Sequence, residues 1–273
     1  MTPSRIGSNR LAFPGKRPRL FGHRGAAGVA PENTLVSFHR AREEGADVLE
    51  LDVHATADGE IVVIHDATVE RTTDGRGAVR EMTMAEIARL DAGFRFSSDG
   101  GQTFPYRGRR VGVPRLADLL AAFPDVPLNI EIKQESPSIV VEVVALLRAA
   151  RSRAVLAAER DAVMAEIRAV APDFPTSVAA GEVAEFVRGV QAGAPPQLPE
   201  NVVALQIPPR FGEVTLVDAK SLTAAHAQGV EVHVWTINDA HEARRLIALG
   251  CDGIMSDFPA LIRTTIDEGC DGA

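Results

Sequence analysis

Short runs of β-branched and other apolar residues alternate along this chain with longer stretches whose apolar positions recur every three or four residues. That alternation predicts strand–helix units around a parallel sheet. Extended runs fall at residues 19–23, 47–54, 61–65, 128–133, 154–158, 176–178, 202–207, 232–237 and 253–256. Helical runs fall at residues 34–44, 116–123, 139–150, 162–170, 183–190, 219–228, 240–249 and 259–266, the first capped by Asn33 or Thr34 and stopped by Gly45. The Asp58-Gly59 turn joins the second and third extended runs as a hairpin, so the third extends the second. Eight strands then each precede a helix. Eight βα units in about 250 residues match the α/β class as a (β/α)8 TIM barrel. A doubly wound open sheet is the rival that strand counting leaves open.

Residues 66–115 break the rhythm. They hold Arg71-Thr72-Thr73-Asp74-Gly75-Arg76-Gly77, a short helix with a Thr83-x-x-Glu86 capping box, and a loop rich in Gly, Ser and Arg. This reads as a small inserted subdomain after the second strand, within a single domain over residues 19–268. Residues 1–18 are basic and punctuated by Pro and Gly; without the apolar run of a secretory signal, they read as a poorly ordered leader. No stretch of 18 apolar residues occurs, which predicts no stable membrane insertion. Composition adds three exclusions. A chain with 45% hydrophobic and 24% charged residues is globular rather than disordered. A net charge of −8 disfavours nucleic acid and anionic membranes as partners. Two cysteines without a CxxC motif argue against a disulfide framework and for a reduced cytoplasmic setting.

In a barrel, catalytic groups sit at the C-terminal ends of strands. The polar strand ends here are His23-Arg24, Glu50-x-Asp52-x-His54, His65-Asp66, Glu131-x-Lys133 and the stretch around Trp235. Alternation along a strand puts Glu50 and Asp52 on one face, and Glu131 and Lys133 on one face. Three carboxylates facing one interior need a cation among them. A divalent metal with a taste for oxygen ligands, Mg²⁺ or Ca²⁺, meets that need; so does a salt-bridged layer with Lys133 and Arg24 as partners. His23 and His65 are the residue type for a general acid and base, or else hydrogen-bonded core residues. Arg24, beside the turn of Gly25 and Gly28, suits a phosphate clamp. Trp235, the single tryptophan, suits an apolar substrate wall or rim packing.

The motifs Gly22-His23-Arg24-Gly25, Pro31-Glu32-Asn33-Thr34, Glu50-Leu51-Asp52-Val53 and His65-Asp66, in that order, resemble the glycerophosphodiester phosphodiesterase family. Arg71-Thr72-Thr73-x-Gly75-x-Gly77, Pro114-x-Leu116, Glu131-Ile132-Lys133, Val234-Trp235-Thr236-Ile237-Asn238 and Gly253-Ile254-Met255-Ser256-Asp257 extend the resemblance over residues 19–262. It implies a TIM barrel with the insertion where 66–115 falls. It implies metal ligands at Glu50, Asp52 and Glu131, and an acid–base pair at His23 and His65. Arg24 and Lys133 neutralise phosphate charge, Glu32 orients Arg24, and Trp235 lies near the alcohol. The implied activity is metal-dependent hydrolysis of a small glycerophosphodiester to an alcohol and sn-glycerol 3-phosphate. Two alternatives stand beside it. One is a lysophospholipase D with an apolar rim, for which Phe94, Phe96, Phe104 and Tyr106 of the insertion offer themselves, unless they form the insertion's own core. The other is a non-catalytic barrel that binds phosphorylated ligands.

Overall fold

The computed structural model describes Phe13 and residues 15–270, the side chain of residue 270 excepted. In chain order the strands of the sheet are β1 (Arg19–Gly22), β2 (Val48–Ala55), β3 (Ile61–Val63), β4 (Leu128–Ile132), β5 (Ala154–Ala157) and β6 (Ala204–Ile207). A small hairpin, β7 (Arg210–Phe211) and β8 (Val214–Thr215), follows, then β9 (Glu231–Val234) and β10 (Gly253–Ser256). Seven strands pair in parallel in the order β5-β4-β2-β1-β10-β9-β6, and β3 folds back antiparallel on β2 as the Asp-Gly turn predicts. Parallel bridges Leu156↔Thr176 and Thr176↔Val202 join the two ends of this curled sheet, so the eighth stave closes a TIM barrel.

That stave is far shorter than the strand expected at 176–178. Pro175 has no N–H to extend the ladder upstream. Downstream, Ala179 already caps α6 (Ala180–Gln191), its N–H bonded to the Glu182 carboxylate at 2.9 Å. Helices follow the other barrel strands, with β3 and the insertion between β2 and α3: α1 (Leu35–Glu43), α3 (Leu116–Ala122), α4 (Val140–Ala150), α5 (Asp161–Val170), α7 (Ala219–His226), α8 (Ala240–Leu249) and α9 (Pro259–Cys270). Thr34, not Asn33, caps α1, accepting from the Ser37 N–H.

Strand alternation sorts the core. Leu49, Leu51 and Val53 of β2, with Ile130 and Ile132 of β4, pack outward against the helices. Phe21, Val48, Val155 and Met255 fill the barrel's interior. The insertion carries its own cluster, built on Val69, Val79, Ile87, Val111 and Val113 around α2 (Met84–Ile87), whose Thr83/Glu86 capping box is present. Its other aromatics hold one another: Phe96 meets Tyr106 edge-on at 5.4 Å, and the Arg107 guanidinium lies 3.7 Å from the Phe104 ring centroid and 4.4 Å from that of Phe94.

The barrel's base is polar and closed. Arg19 is fully buried and donates to Glu231 at 2.8 Å and to the Phe13 carbonyl. Arg17 donates to Glu231 at 2.6 Å and Asp252 at 2.8 Å, and His233 Nε2 bonds Glu231 at 2.9 Å. Burial pushes the Glu231 carboxyl up; His233, Arg19 and Arg17 outweigh it and leave the group below its ordinary value. Within residues 1–18, Phe13 meets Phe21 at a ring-centroid distance of 5.4 Å and Arg17 makes two ion pairs. Residues 1–12 and Pro14 lie outside the described residues. Glu231→Ala removes the buried carboxylate that Arg19, Arg17 and His233 share. The expected loss is about 3–5 kcal/mol, read as a lowered urea midpoint at unchanged m-value.

Candidate active site

The site lies at the mouth formed by the strands' C-terminal ends. The β2–β4 register sets Asp52 beside Glu131 and Glu50 beside Asn129, with all four side chains on the barrel's inner face. Oxygens of Glu50, Asp52 and Glu131 lie within 4.8 Å of one another. Lys133 Nζ stands 2.8 Å from Glu131 and 3.4 Å from Asp52, and Arg24 Nε stands 3.3 Å from Asp52. Asn33 Nδ2 donates to Asp52 at 2.9 Å. Burial pushes the Asp52 carboxyl up, but Lys133, Arg24, His65 and Asn33 together hold it below its ordinary value.

Glu50 is the member left over. It forms no ion pair among the described residues and accepts only the Arg24 backbone N–H, at 2.8 Å. Burial and then the neighbouring Asp52 charge push it up to about 7. Glu131 is likewise raised, by burial first and by Asp52, against the pull of Lys133. The cluster therefore holds more carboxylate than its surroundings neutralise, all of it oxygen donors, and this is the donor set that suits a hard divalent cation.

Each histidine on the site is oriented by its own carboxylate. His23 Nδ1 donates to Asp257 at 2.7 Å, and Asp257 is fixed by Asn238 Nδ2 at 2.6 Å. Burial lowers the His23 pKa, but the Asp257 hydrogen bond and the Glu50 charge raise it by more, so the ring sits above its ordinary value. His65 Nδ1 donates to Asp66 at 2.6 Å. Burial opposes ionisation of Asp66, while Arg71 and His65 outweigh it and hold the carboxyl at about 2. In both rings Nδ1 is engaged and Nε2 is the nitrogen left for chemistry.

Arg71 of the insertion ties these parts together. Its guanidinium bonds Glu32 at 2.6 and 2.8 Å and Asp66 at 2.6 Å, and Glu32 in turn holds Arg24 at 3.0 Å. Arg24 adopts a left-handed backbone at φ 50°, which aims its N–H at Glu50. Its Nε is buried and makes no hydrogen bond, although the Asp52 carboxylate is close. A buried guanidinium N–H without an acceptor is a place for an anionic oxygen.

A cavity of about 680 Å³ opens over the cluster. His23, Arg24, Glu50, Asp52, His65, Glu131, Lys133 and Trp235 all border it. Glu32 does not, and reaches the site only through Arg24 and Arg71. The insertion's aromatics do not line it either, so they are packing residues and form no rim. His54, which shares a face with Asp52, is buried and bonds the His65 carbonyl at 3.0 Å. His233 is a core residue of the base. Sequence reasoning assigned no role to Asp257, Asn238, Asp66 or Arg71, although each stands in, or one residue beyond, a motif that carried the resemblance.

Comparison with known proteins identifies the family. The family model described as "Glycerophosphoryl diester phosphodiesterase family" matches residues 23–261. A glycerophosphodiester phosphodiesterase of Caldanaerobacter subterraneus is 30% identical over 259 residues, covering 92% of this chain and 98% of its own. A lysophospholipase D of Mus musculus is 26% identical, covering 92% of this chain and 86% of its own. Among solved structures, an Oleispira antarctica phosphodiesterase in complex with the product sn-glycerol-3-phosphate superposes with a TM-score of 0.73 at 27% identity, covering 92% of this chain and 97% of its own. The chain is a phosphodiesterase and belongs to the glycerophosphoryl diester phosphodiesterase family.

Proposed function

We propose that the enzyme hydrolyses glycerophosphodiesters to an alcohol and sn-glycerol 3-phosphate, using a divalent cation and the His23/His65 pair. The carrying observation is the juxtaposition of a surplus carboxylate cluster with two carboxylate-oriented histidines in one cavity. Glu50, Asp52 and Glu131 would hold the cation, Mg²⁺ or Ca²⁺, which supplies charge neutralisation at the phosphate and polarisation of its oxygens. Arg24, with its unsatisfied Nε, and Lys133 neutralise the remaining phosphate charge. One histidine takes a proton from the oxygen nucleophile as the new P–O bond forms. The other gives a proton to the alcohol oxygen as the old P–O bond breaks, so protons and charge balance over the turnover. Trp235 walls the alcohol side. The free, buried Cys251, its thiol pushed up to about 12 by burial and by Asp252, is compatible with a reduced cytoplasmic setting. No helix among the described residues is long and apolar enough to cross a membrane.

The test is release of glycerol 3-phosphate from glycerophosphocholine and glycerophosphoethanolamine with Mg²⁺, with Ca²⁺ and with EDTA. Turnover that EDTA abolishes supports the reading; phosphate binding without turnover under every condition favours a binding-only barrel and overturns it. A lysophospholipid substrate is the second reading, favoured by the continuation of the cavity past the charged cluster into apolar surroundings.

The carboxylate cluster also gives a pH signature. Glu50 titrates at about 7 in the metal-free fold against an ordinary value of 4.5, so the folded state holds this proton more tightly than the unfolded chain. Its contribution to stability is present below pH 4.5 and is lost as pH rises through 7. Melting curves in EDTA should show Tm falling over that window. Added Mg²⁺ or Ca²⁺ should raise Tm more at alkaline than at acidic pH, because the ligands must be deprotonated.

A further inference from the structure

Phe21, Val48, Val155 and Met255 make most of the barrel's interior apolar. Two neutral amides interrupt that layer beneath the carboxylates. Asn129 lies on β4 two residues before Glu131, about 7 Å deeper along the strand, in register with Glu50 of β2 and Val155 of β5. Gln206 lies on β6 in register with His233 of β9. Both amides border the cavity, and the His233 ring beneath them packs on Phe21 at 4.7 Å, so they form the cavity's floor.

Their orientation is set from the base upward. Glu231, paired with Arg19 and Arg17, only accepts hydrogen bonds, so His233 Nε2 donates to it at 2.9 Å. With its proton on Nε2, the ring turns a bare Nδ1 lone pair toward Gln206. The Gln206 amide nitrogen faces it at 3.5 Å; an amide oxygen there would set lone pair against lone pair. The same nitrogen donates to Asn129 Oδ1 at 2.7 Å. Each amide then has one atom left over. Asn129 Nδ2 is a donor and Gln206 Oε1 an acceptor. Neither makes a hydrogen bond among the described residues, and neither is sealed from solvent. Asn129 as a whole is only 2% exposed, so the solvent they meet is the cavity.

A half-satisfied polar pair in an apolar barrel is costly until a ligand completes it. The ligand has to accept from an amide N–H and donate to an amide oxygen. A hydroxyl does both. An ionised phosphate or carboxylate has no proton for Gln206 Oε1, and a quaternary ammonium can neither donate nor accept. We propose that Asn129 and Gln206 bind a glycerol hydroxyl of the substrate at the cavity floor and so select a hydroxylated group for the buried side of the phosphate. The proposal rests on the phosphodiesterase reading of the charged cluster. It points the glycerol down the barrel axis and leaves the alcohol group on the side of the half-exposed Trp235.

The experiment measures kcat/KM for glycerophosphocholine and for its two monodeoxy analogues, 2-hydroxypropyl and 3-hydroxypropyl phosphocholine, with wild type and with Gln206→Met. Wild type should disfavour at least one analogue by about tenfold or more, because that analogue leaves both amide atoms unpaired. Gln206→Met should lower glycerophosphocholine toward that analogue while the analogue itself stays within about twofold. Equal rates for all three substrates with wild type overturn the proposal. So does a preference that survives Gln206→Met, including a uniform fall with all three; that is the result expected if the hydroxyl is read by the metal or acts as the nucleophile. Asn129→Ala carries the same comparison if Gln206→Met does not fold. Calorimetric titration with glycerol 3-phosphate and with 2-hydroxypropyl and 3-hydroxypropyl phosphate separates failure of the floor from failure of the phosphodiesterase reading. Tighter binding of glycerol 3-phosphate than of one analogue, lost in the variant, upholds the floor even without turnover, and equal binding of all three refutes it.

Discussion

His23→Ala and His65→Ala should each lower kcat by at least about 10²-fold with glycerophosphocholine, because each removes one of the two proton-transfer partners proposed above. The structure adds a second, finer result. His23 is held above its ordinary pKa, against its burial, by the Asp257 hydrogen bond and the Glu50 charge. Asp257→Asn removes one carboxylate charge and should move the His23 limb of the kcat/KM profile to lower pH, with a smaller loss of rate than His23→Ala. Near-wild-type rates in both histidine variants would remove the acid–base assignment. A rate loss in Asp257→Asn without any displacement of the profile would reduce Asp257 to a structural partner.

Asp52→Asn should be the most damaging single change at the carboxylates. Asp52 is the only one of the three that touches Arg24, Lys133 and Asn33 together, so it centres both the carboxylate cluster and the cations beside it. Loss of metal-assisted charge stabilisation is worth several kcal/mol, about 10³-fold in rate or more. EDTA should produce a loss of similar size in wild type, and added cation should restore wild type but not the variant. Direct metal titration by calorimetry separates the two roles. Weakened cation binding in Asp52→Asn marks a ligand; unchanged binding with lost turnover would make Asp52 a holder of Arg24 and Lys133 instead.

The sequence made the barrel legible because its strands obey two simple periodicities. Alternation in Glu50-Leu51-Asp52-Val53 and in Ile130-Glu131-Ile132-Lys133 already puts the carboxylates on one face and the aliphatics on the other, and the register of β2 with β4 then follows. Elements held by few bonds were less legible. The Thr176 stave is a single rung bounded by Pro175 and a helix cap, and no periodicity exists in one residue. The β7–β8 hairpin leaves little trace in the sequence because each strand has two residues, although Gly212 at φ 56° between Phe211 and Glu213 is a turn signal. The insertion's aromatics suit either an apolar rim or a small core of their own by sequence alone. Arg107 stacks on two of those rings, and that pairing across the loop shows only in three dimensions. The Asp257–His23 and Arg71–Glu32 contacts escaped for the same reason, since they join segments 234 and 39 residues apart.

The single-rung stave makes the barrel mechanically uneven. On one side, β2 and β4 share five paired positions and carry all three carboxylates. On the other, the ring is sewn together by four backbone bonds around Thr176, from Leu156 to Pro175, Ser177 to Leu156, Thr176 to Asn201 and Val203 to Thr176. A ring with one thin seam breathes there first, and amide protons at Leu156, Ser177 and Val203 should exchange faster than those of β2 and β4. The seam adjoins α6, so widening along it would admit bulk on that flank while the carboxylates and histidines keep their spacing.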